Sequence, residues 1–357
     1  MGIETEPVGS IPRPPELQAA MVAHTEGSLS ADALDELFDQ AVADTVARFE
    51  ATGSPIVSDG EQTKSSFATY PLDGMTTLSP DGVIIPFDDG HTRQLPLITE
   101  GPFRYQNFAG SYTERTRKFA HRPVKQAVIS ASAMSLLYPE SGIDGYSREQ
   151  FRADLIDQAA RDIRSCLDAG AKSVQVDFTE GRLALKLDPS GGLLQQFIDI
   201  NNEVFARFSE EERQIIGVHT CPGGDHDAAH SLDIDYRELI PKLLTLNAGR
   251  FFMQMASETD PDKSLTLIGE QLRPDQKVFI GVIDVCDENI ETAETVRDRV
   301  LLAAEHIPVT QLGTTDDCGF SPFSDDVATS RDTAFAKITA RVTGTRMAAD
   351  QLGVPSA

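Results

Sequence analysis

Eight short apolar runs, separated by polar turns and amphipathic stretches, constrain the fold of this chain more than anything else in it. They cover residues 7–11, 55–58, 124–130, 173–176, 215–218, 251–255, 278–282 and 309–313. Between them, residues 30–52, 147–169, 193–208 and 290–306 carry helical periodicity. Strands alternating with helices imply parallel strands joined by right-handed crossovers. Eight such repeats are what a closed (β/α)8 TIM barrel requires. An open doubly wound sheet is the competing arrangement, but the first turn has no G-x-G-x-x-G for a nucleotide. One segment, 72–122, breaks the rhythm with many Gly, Pro, Asp and Thr residues. It reads as an insertion after the second strand, a β-hairpin at the barrel mouth that is either a lid or a plain surface excursion. The expectation is one barrel domain over 1–357.

Catalytic groups of such barrels sit where strands end, and here nearly every run ends in a polar residue. The first ends in Gly9-Ser10, the second in Asp59-Gly60-Glu61 and the fourth in Asp177-Phe178-Thr179-Glu180. The fifth ends in His219-Thr220-Cys221, the sixth in Gln254, the seventh in Asp284 and the eighth in Asp316-Asp317-Cys318. His-x-Cys on an extended segment puts both side chains on one face. One imidazole and two thiolates suit Zn2+, with a position left open for a reactant thiol. The plainer assignment makes His219 a satisfied core histidine and the cysteines small buried hydrophobes. Gly9-Ser10 offers an N–H and a hydroxyl to a carboxylate, and Asp59, Glu61 and Asp177 could receive an ammonium. Together they would suit an amino-acid thiol. Gly223-Gly224 lets the backbone approach a bound group, while Asp225, His226, Asp227 and His230 read as a solvated loop.

Charge narrows the partners. With 31 basic against 56 acidic residues, net -25, the surface repels nucleic acid and anionic membranes. No apolar stretch reaches the ~20 residues of a membrane span, and the start Met1-Gly2-Ile3-Glu4 is not a signal peptide. A cytoplasmic enzyme, possible as an oligomer, is expected. Four cysteines in so long a chain make no disulfide framework.

The pieces Val8-Gly9-Ser10-Ile11-Pro12, Asp59-Gly60-Glu61, Val174-Gln175-Val176-Asp177, His219-Thr220-Cys221, Gly281-Val282-Ile283-Asp284 and Asp317-Cys318-Gly319 resemble the catalytic barrel of cobalamin-independent methionine synthases, over essentially the whole chain. The resemblance implies His219, Cys221 and Cys318 as zinc ligands, and Ser10, Glu61 and Asp177 as contacts to homocysteine. Gln254 stands where the family has a glutamate as fourth ligand, with Glu258 four residues on. Asp284 and Glu61 are expected in catalysis. Cys286 replaces a family histidine thought to protonate a folate leaving group, and the chain has no tryptophan to stack on a pterin. Full-length members carry a further N-terminal barrel, so a stand-alone core is implied, with a methyl donor that is methyl-folate, methylcobalamin or another.

Asp59-Gly60-Glu61-Gln62, Cys221-Pro222-Gly223-Gly224-Asp225 and the stretch 313–323 are also similar to epoxyalkane:coenzyme M transferases. That similarity implies a thiol added to an epoxide, with Lys64, Arg182 or Arg331 near the mouth receiving a sulfonate. A barrel that only binds zinc and a thiol, without turnover, is the third alternative.

Overall fold

The computed structural model describes residues 2–355, so Met1, Ser356 and Ala357 lie outside the described residues. Those residues form a parallel seven-stranded sheet, curled with helices outside it. Its strands are β1 (Glu4–Thr5), β2 (Lys125–Ile129), β3 (Ser173–Asp177), β4 (Ile216–Thr220), β5 (Arg250–Met253), β6 (Lys277–Gly281) and β7 (Leu312–Thr315). The order is β1-β7-β6-β5-β4-β3-β2. Buried on both faces, these strands read as continuous apolar runs, as parallel strands do.

The eighth position belongs to the run at 55–58, which contributes one parallel bridge, Val57 to Val124. It was expected to be a strand, and its chemistry shortens it. Pro55 has no N–H to give, Ser58 Oγ donates to the Gly9 carbonyl (2.8 Å), and a tight turn begins at once at Asp59. The first run also differs from expectation: its ladder lies at Glu4–Thr5, and residues 7–11 are not in a strand. Side chains serve its carbonyls instead. Lys125 Nζ donates to Pro7 O (2.7 Å), Gln175 Nε2 to Val8 O (3.1 Å) and Gln62 Nε2 to Ile11 O (2.8 Å). The seam is completed by Ile11 N–H to Gly60 O at 3.0 Å. At the other end, Val309–Gln311 is a 3-10 turn and the strand starts at Leu312, because Pro308 opens a turn closed by Gln311 N–H.

Helices lie where periodicity placed them, with ends set by capping. Ser30 caps Ala31–Ala51, Ser147 caps Arg148–Asp168 in a reciprocal box with Gln150, and Thr292 caps Ala293–His306. Each hydroxyl satisfies an N–H the first helical turn would leave unpaired. Gly192–Phe205 fills the stretch expected at 193–208.

Segment 72–122 contains two antiparallel pairs, Leu78–Ser79 with Leu97–Ile98 and Ile84–Pro86 with Thr92–Gln94. It also contains the helix Gly110–Arg117, which packs on Arg148–Asp168 through Gly110 N–H to Ser165 Oγ (2.9 Å). The excursion is therefore shorter than 72–122, since this helix crosses over to β2. Among the described residues no helix is long and apolar enough to cross a membrane.

Candidate metal centre

His219, Cys221 and Cys318 converge at the carboxyl ends of β4 and β7. Their ligand atoms lie within 4.8 Å of one another, and the two sulfurs, 97 residues apart in sequence, are 3.1 Å apart. A disulfide would need about 2.05 Å, so both thiols are free. His219 Nδ1 lies 3.2 Å from the Phe252 carbonyl. A carbonyl only accepts, so Nδ1 carries the hydrogen and Nε2 presents its lone pair. That Nε2 is buried with no hydrogen-bond partner among the described residues. Cys221 Sγ accepts the N–H of Gly223 (3.3 Å), the outer-shell support a thiolate ligand takes. An orphaned imidazole nitrogen beside two sulfurs is a donor set that fits a zinc-type ion.

Gln254 follows β5 and is fully buried. Its Nε2 donates to Ser257 Oγ (2.7 Å), and its Oε1 has no partner among the described residues. Asp317 holds this loop: its carboxylate accepts N–H groups from Met255 (2.9 Å), Ala256 and Ser257 (2.8 Å each), plus Ser257 Oγ (2.8 Å). The residue before Cys318 thereby locks the loop that carries Gln254. Burial pushes the Asp317 carboxyl up to about 6, against the pull of those donors. Glu258 is spent on an ion pair with Arg182 and does not compete.

Ser10, Glu61 and Asp177 join His219 and Cys318 around one narrow cleft, closed below by Gln175 and beside by Phe67 and Pro322. Asp177 is register partner to His219 across β3 and β4, so both side chains leave the same face. Asp177 Oδ1 accepts from Gln175 (2.7 Å). Glu61 stands at φ 55 after Gly60 at φ 66, a left-handed conformation that costs a non-glycine residue roughly 1–3 kcal/mol. Its backbone is held there by Asp59 Oδ1 (3.0 Å) and by Arg13 Nη2 on its carbonyl (2.7 Å). At position 60 a side chain would strike Thr45 at 2.6 Å.

The acids of the cleft are coupled. Burial raises both the Glu61 and Asp177 carboxyls; Lys64 opposes the first, and His219 and Lys64 the second. Lys64 Nζ donates to Glu61 Oε1 and to Ala127 O, both at 2.9 Å, from a fully buried position.

Other named residues lie outside the cleft lining. Asp284 is not among the residues that line the cleft, and its carboxylate accepts the Cys286 N–H (3.0 Å). Lys64, Arg182 and Arg331 were expected near the mouth for a sulfonate. The first two are buried in pairs with Glu61 and Glu258, and Arg331 pairs with Asp44. The loop 225–230 is only partly solvated, with Asp227 exposed and His226 half-buried. Asp225 is buried against Arg93 Nε (2.5 Å) and His91 Nε2 (3.0 Å) of the second hairpin, and His230 fills the space beside Gly223. Burial drives the His230 imidazole down to about 4.

Beyond the cleft, sharing Phe67, Thr179, Gly223 and Gly224 with it, opens a cavity of about 400 Å3. The hairpin residues Ile85, Phe87 and Leu95 wall it, opposite Ile129, Leu136 and Leu183. Sequence reasoning singled out neither Arg13 nor Asp317 as supports, although Arg13 follows one named motif and Asp317 lies within another.

A family model described as the catalytic domain of cobalamin-independent synthase matches residues 3–334. The methionine synthase of Sulfurisphaera tokodaii is 22% identical over 359 residues, covering 98% of this chain and 94% of that protein. A 5-methyltetrahydropteroyltriglutamate–homocysteine methyltransferase of Vibrio vulnificus is 21% identical, covering 89% of this chain and 39% of that protein. Among solved structures, a B12-independent methionine synthase from Shewanella sp. W3-18-1, in complex with selenomethionine, superposes with a TM-score of 0.78 at 22% identity, covering 99% of each chain.

Proposed function

We propose, since this chain belongs to the cobalamin-independent synthase catalytic-domain family, that it transfers a methyl group to the sulfur of homocysteine with Zn2+ as its cofactor. The observation that carries this reading is the convergence of Ser10, Glu61, Asp177, His219 and Cys318 on one cleft. His219 Nε2, Cys221 and Cys318 would hold the ion, with Gln254 Oε1 the fourth donor. Bound zinc supplies one thing: it keeps a thiol deprotonated near neutral pH, where a free thiol of pKa ~8.5 is only a few per cent thiolate.

The remaining work falls to the chain. Ser10 Oγ already accepts the Ser321 N–H (3.2 Å), so its own hydrogen is available to the amino-acid carboxylate. Lys64 and Gln175 each occupy one oxygen of Glu61 and Asp177, which leaves the other oxygen of each for the ammonium. An incoming ammonium favours the charged form of both carboxyls, against the burial that raises them. These anchors aim the sulfur, and holding it in line with the methyl carbon accounts for the larger part of the acceleration. In this reading the whole chain is one working barrel, roofed by the hairpins after the second run.

Metal analysis of the purified protein should return about one zinc per chain, and a Cys318→Ser variant should lose it. Homocysteine with 5-methyltetrahydrofolate or methylcobalamin should yield methionine, while coenzyme M with epoxypropane should not react. Full metal content in Cys318→Ser, or no methionine from either donor, would overturn the assignment.

A further inference from the structure

Arg13 lies between Pro12 and Pro14 and is buried, with 3% of its surface exposed. The two prolines restrict the backbone on either side and keep Arg13 itself extended. Its Nη2 donates to the carbonyls of Glu61 (2.7 Å) and Lys64 (2.8 Å). Its Nη1 donates to the carbonyls of Ser321 (3.1 Å) and Phe323 (3.0 Å), with Ser321 Oγ at 3.4 Å. One nitrogen thus clamps the turn that carries the buried Glu61–Lys64 pair, and the other clamps the loop that follows Cys318. Ser10, on the same loop as Arg13, completes the link. Its carbonyl accepts the Phe320 N–H (3.0 Å) and its Oγ the Ser321 N–H (3.2 Å).

We infer that Arg13 is the positioning residue that sets Glu61 against the Cys318 loop, so that the cleft selects a thiol carrying an α-amino group over the same thiol without one. The inference rests on the thiol methylation proposed above and deepens it. In that reading the sulfur is held at Cys318 and the ammonium at Glu61 and Asp177. Glu61 keeps a left-handed backbone, a conformation that persists only where its surroundings enforce it. Freed from Arg13, its carbonyl would let the residue relax and carry the carboxylate out of register with the metal. The guanidinium is the rigid spacer between the two ends of the substrate.

Bracing alone does not require this residue. Neutral groups already tie the same loops: Gln62 Nε2 donates to Ile11 O (2.8 Å) and Gly60 O (3.0 Å), and the Phe67 N–H to Pro322 O (3.0 Å). Arg13 instead buries a charge whose hydrogen bonds, among the described residues, all go to uncharged oxygens, a costly arrangement. Burial brings it down to about 10, with Glu61, Asp59, Asp326 and Asp325 opposing, so it is charged at neutral pH. What the charge gains is a planar fork that meets four carbonyls at once, which a lysine ammonium does not reproduce.

The test uses the zinc-loaded full chain and two probes, homocysteine and 4-sulfanylbutanoate, the analogue without the amine. Calorimetry reads each affinity. Wild type should bind homocysteine at least about 100-fold more tightly, because the analogue leaves two buried carboxylates without their partner. Arg13→Lys should lose at least about 10-fold on homocysteine and less than about 3-fold on the analogue, with zinc content unchanged. Arg13→Gln, a neutral amide with fewer donors, should show the same pattern. Equal losses on both probes would make Arg13 a brace of the fold and overturn the inference. So would wild-type selectivity in either variant, or failure of both variants to fold and take up zinc. Wild type alone tests the parent reading: no preference for homocysteine there would remove the ammonium anchors, and this inference with them.

Discussion

At the scale of single residues, the cleft depends on a buried cation. Lys64 and Glu61 are 0% and 4% exposed and meet at 2.9 Å, and the Lys64 ammonium also lies 4.4 Å from the Tyr70 ring centroid. Burial alone would lower Lys64, but Glu61 and Asp59 overcome it and raise its pKa. A raised lysine gives stability that is complete below its unfolded value near 10.4 and is lost only as pH climbs through the folded one. The pair is thus intact at neutral pH. Removing one partner of a buried pair strands the other, at about 3–5 kcal/mol. Lys64→Met should therefore lower the urea unfolding free energy by that amount, and Lys64→Met with Glu61→Gln should recover most of it. An additive double variant would show that the two do not act as a pair. Ser10, Glu61, Asp177, His219, Cys221 and Cys318 could be read from sequence because each sits at or just past an apolar run. Lys64 was legible only as a cation near the mouth, not as the partner of Glu61, and Arg13 was not legible at all. Arg13 is buried by Ser321 and Phe323, some three hundred positions away, and local pattern carries no trace of such contacts.

At the scale of elements, the expected helices were legible to within a few residues, and a Ser or Thr cap marks where three of the four begin, Gly192–Phe205 starting at Gly191 without one. Strands were legible where both faces are buried, as at β2 to β6. They failed at the seam, where Pro7, Pro55 and Pro308 withdraw donors and side chains replace the ladder. The roof was read as a hairpin, but whether it was a lid or an excursion turned on contacts that periodicity does not report. Arg93 supplies them. It bonds Asp225 through Nε (2.5 Å) and Asp325 through Nη2 (2.8 Å), and stacks 4.2 Å from the Phe323 ring centroid. A two-strand ribbon is marginal by itself, and Asp88 N–H to the Ala229 carbonyl (3.0 Å) and Phe87 against the His230 ring help Arg93 to seat it. Arg93→Ala should speed deuterium uptake across residues 82–96 while lowering global stability by only about 1–2 kcal/mol. His91 still serves Asp225, and Arg93 is partly solvated (26% exposed). Uptake unchanged in that segment would mean that apolar packing, not this arginine, seats the roof.

At the scale of the whole molecule, the surplus of acid opposes compactness. Fifty-six acidic groups face thirty-one basic ones, and folding brings that excess together. Many are locally paired, such as Arg152 with Glu203 at 2.7 Å and Lys186 with Asp233 at 3.0 Å. Exposed pairs of this kind contribute only ~0–1 kcal/mol each, and salt weakens them over the same range in which it relieves the general repulsion. The two effects have opposite signs, so salt dependence reports which is larger. Unpaired like charges act at long range and over many partners, and a screening length that shrinks from ~30 Å at 0.01 M to ~8 Å at 0.15 M removes most of that sum. Contact pairs at about 3 Å keep most of theirs. Raising monovalent salt across this interval should therefore raise the thermal midpoint of the zinc-loaded protein. The gain should be smaller in variants where an exposed surface acid such as Glu238 becomes Lys. A midpoint that falls with salt would mean that local pairing outweighs the -25 excess.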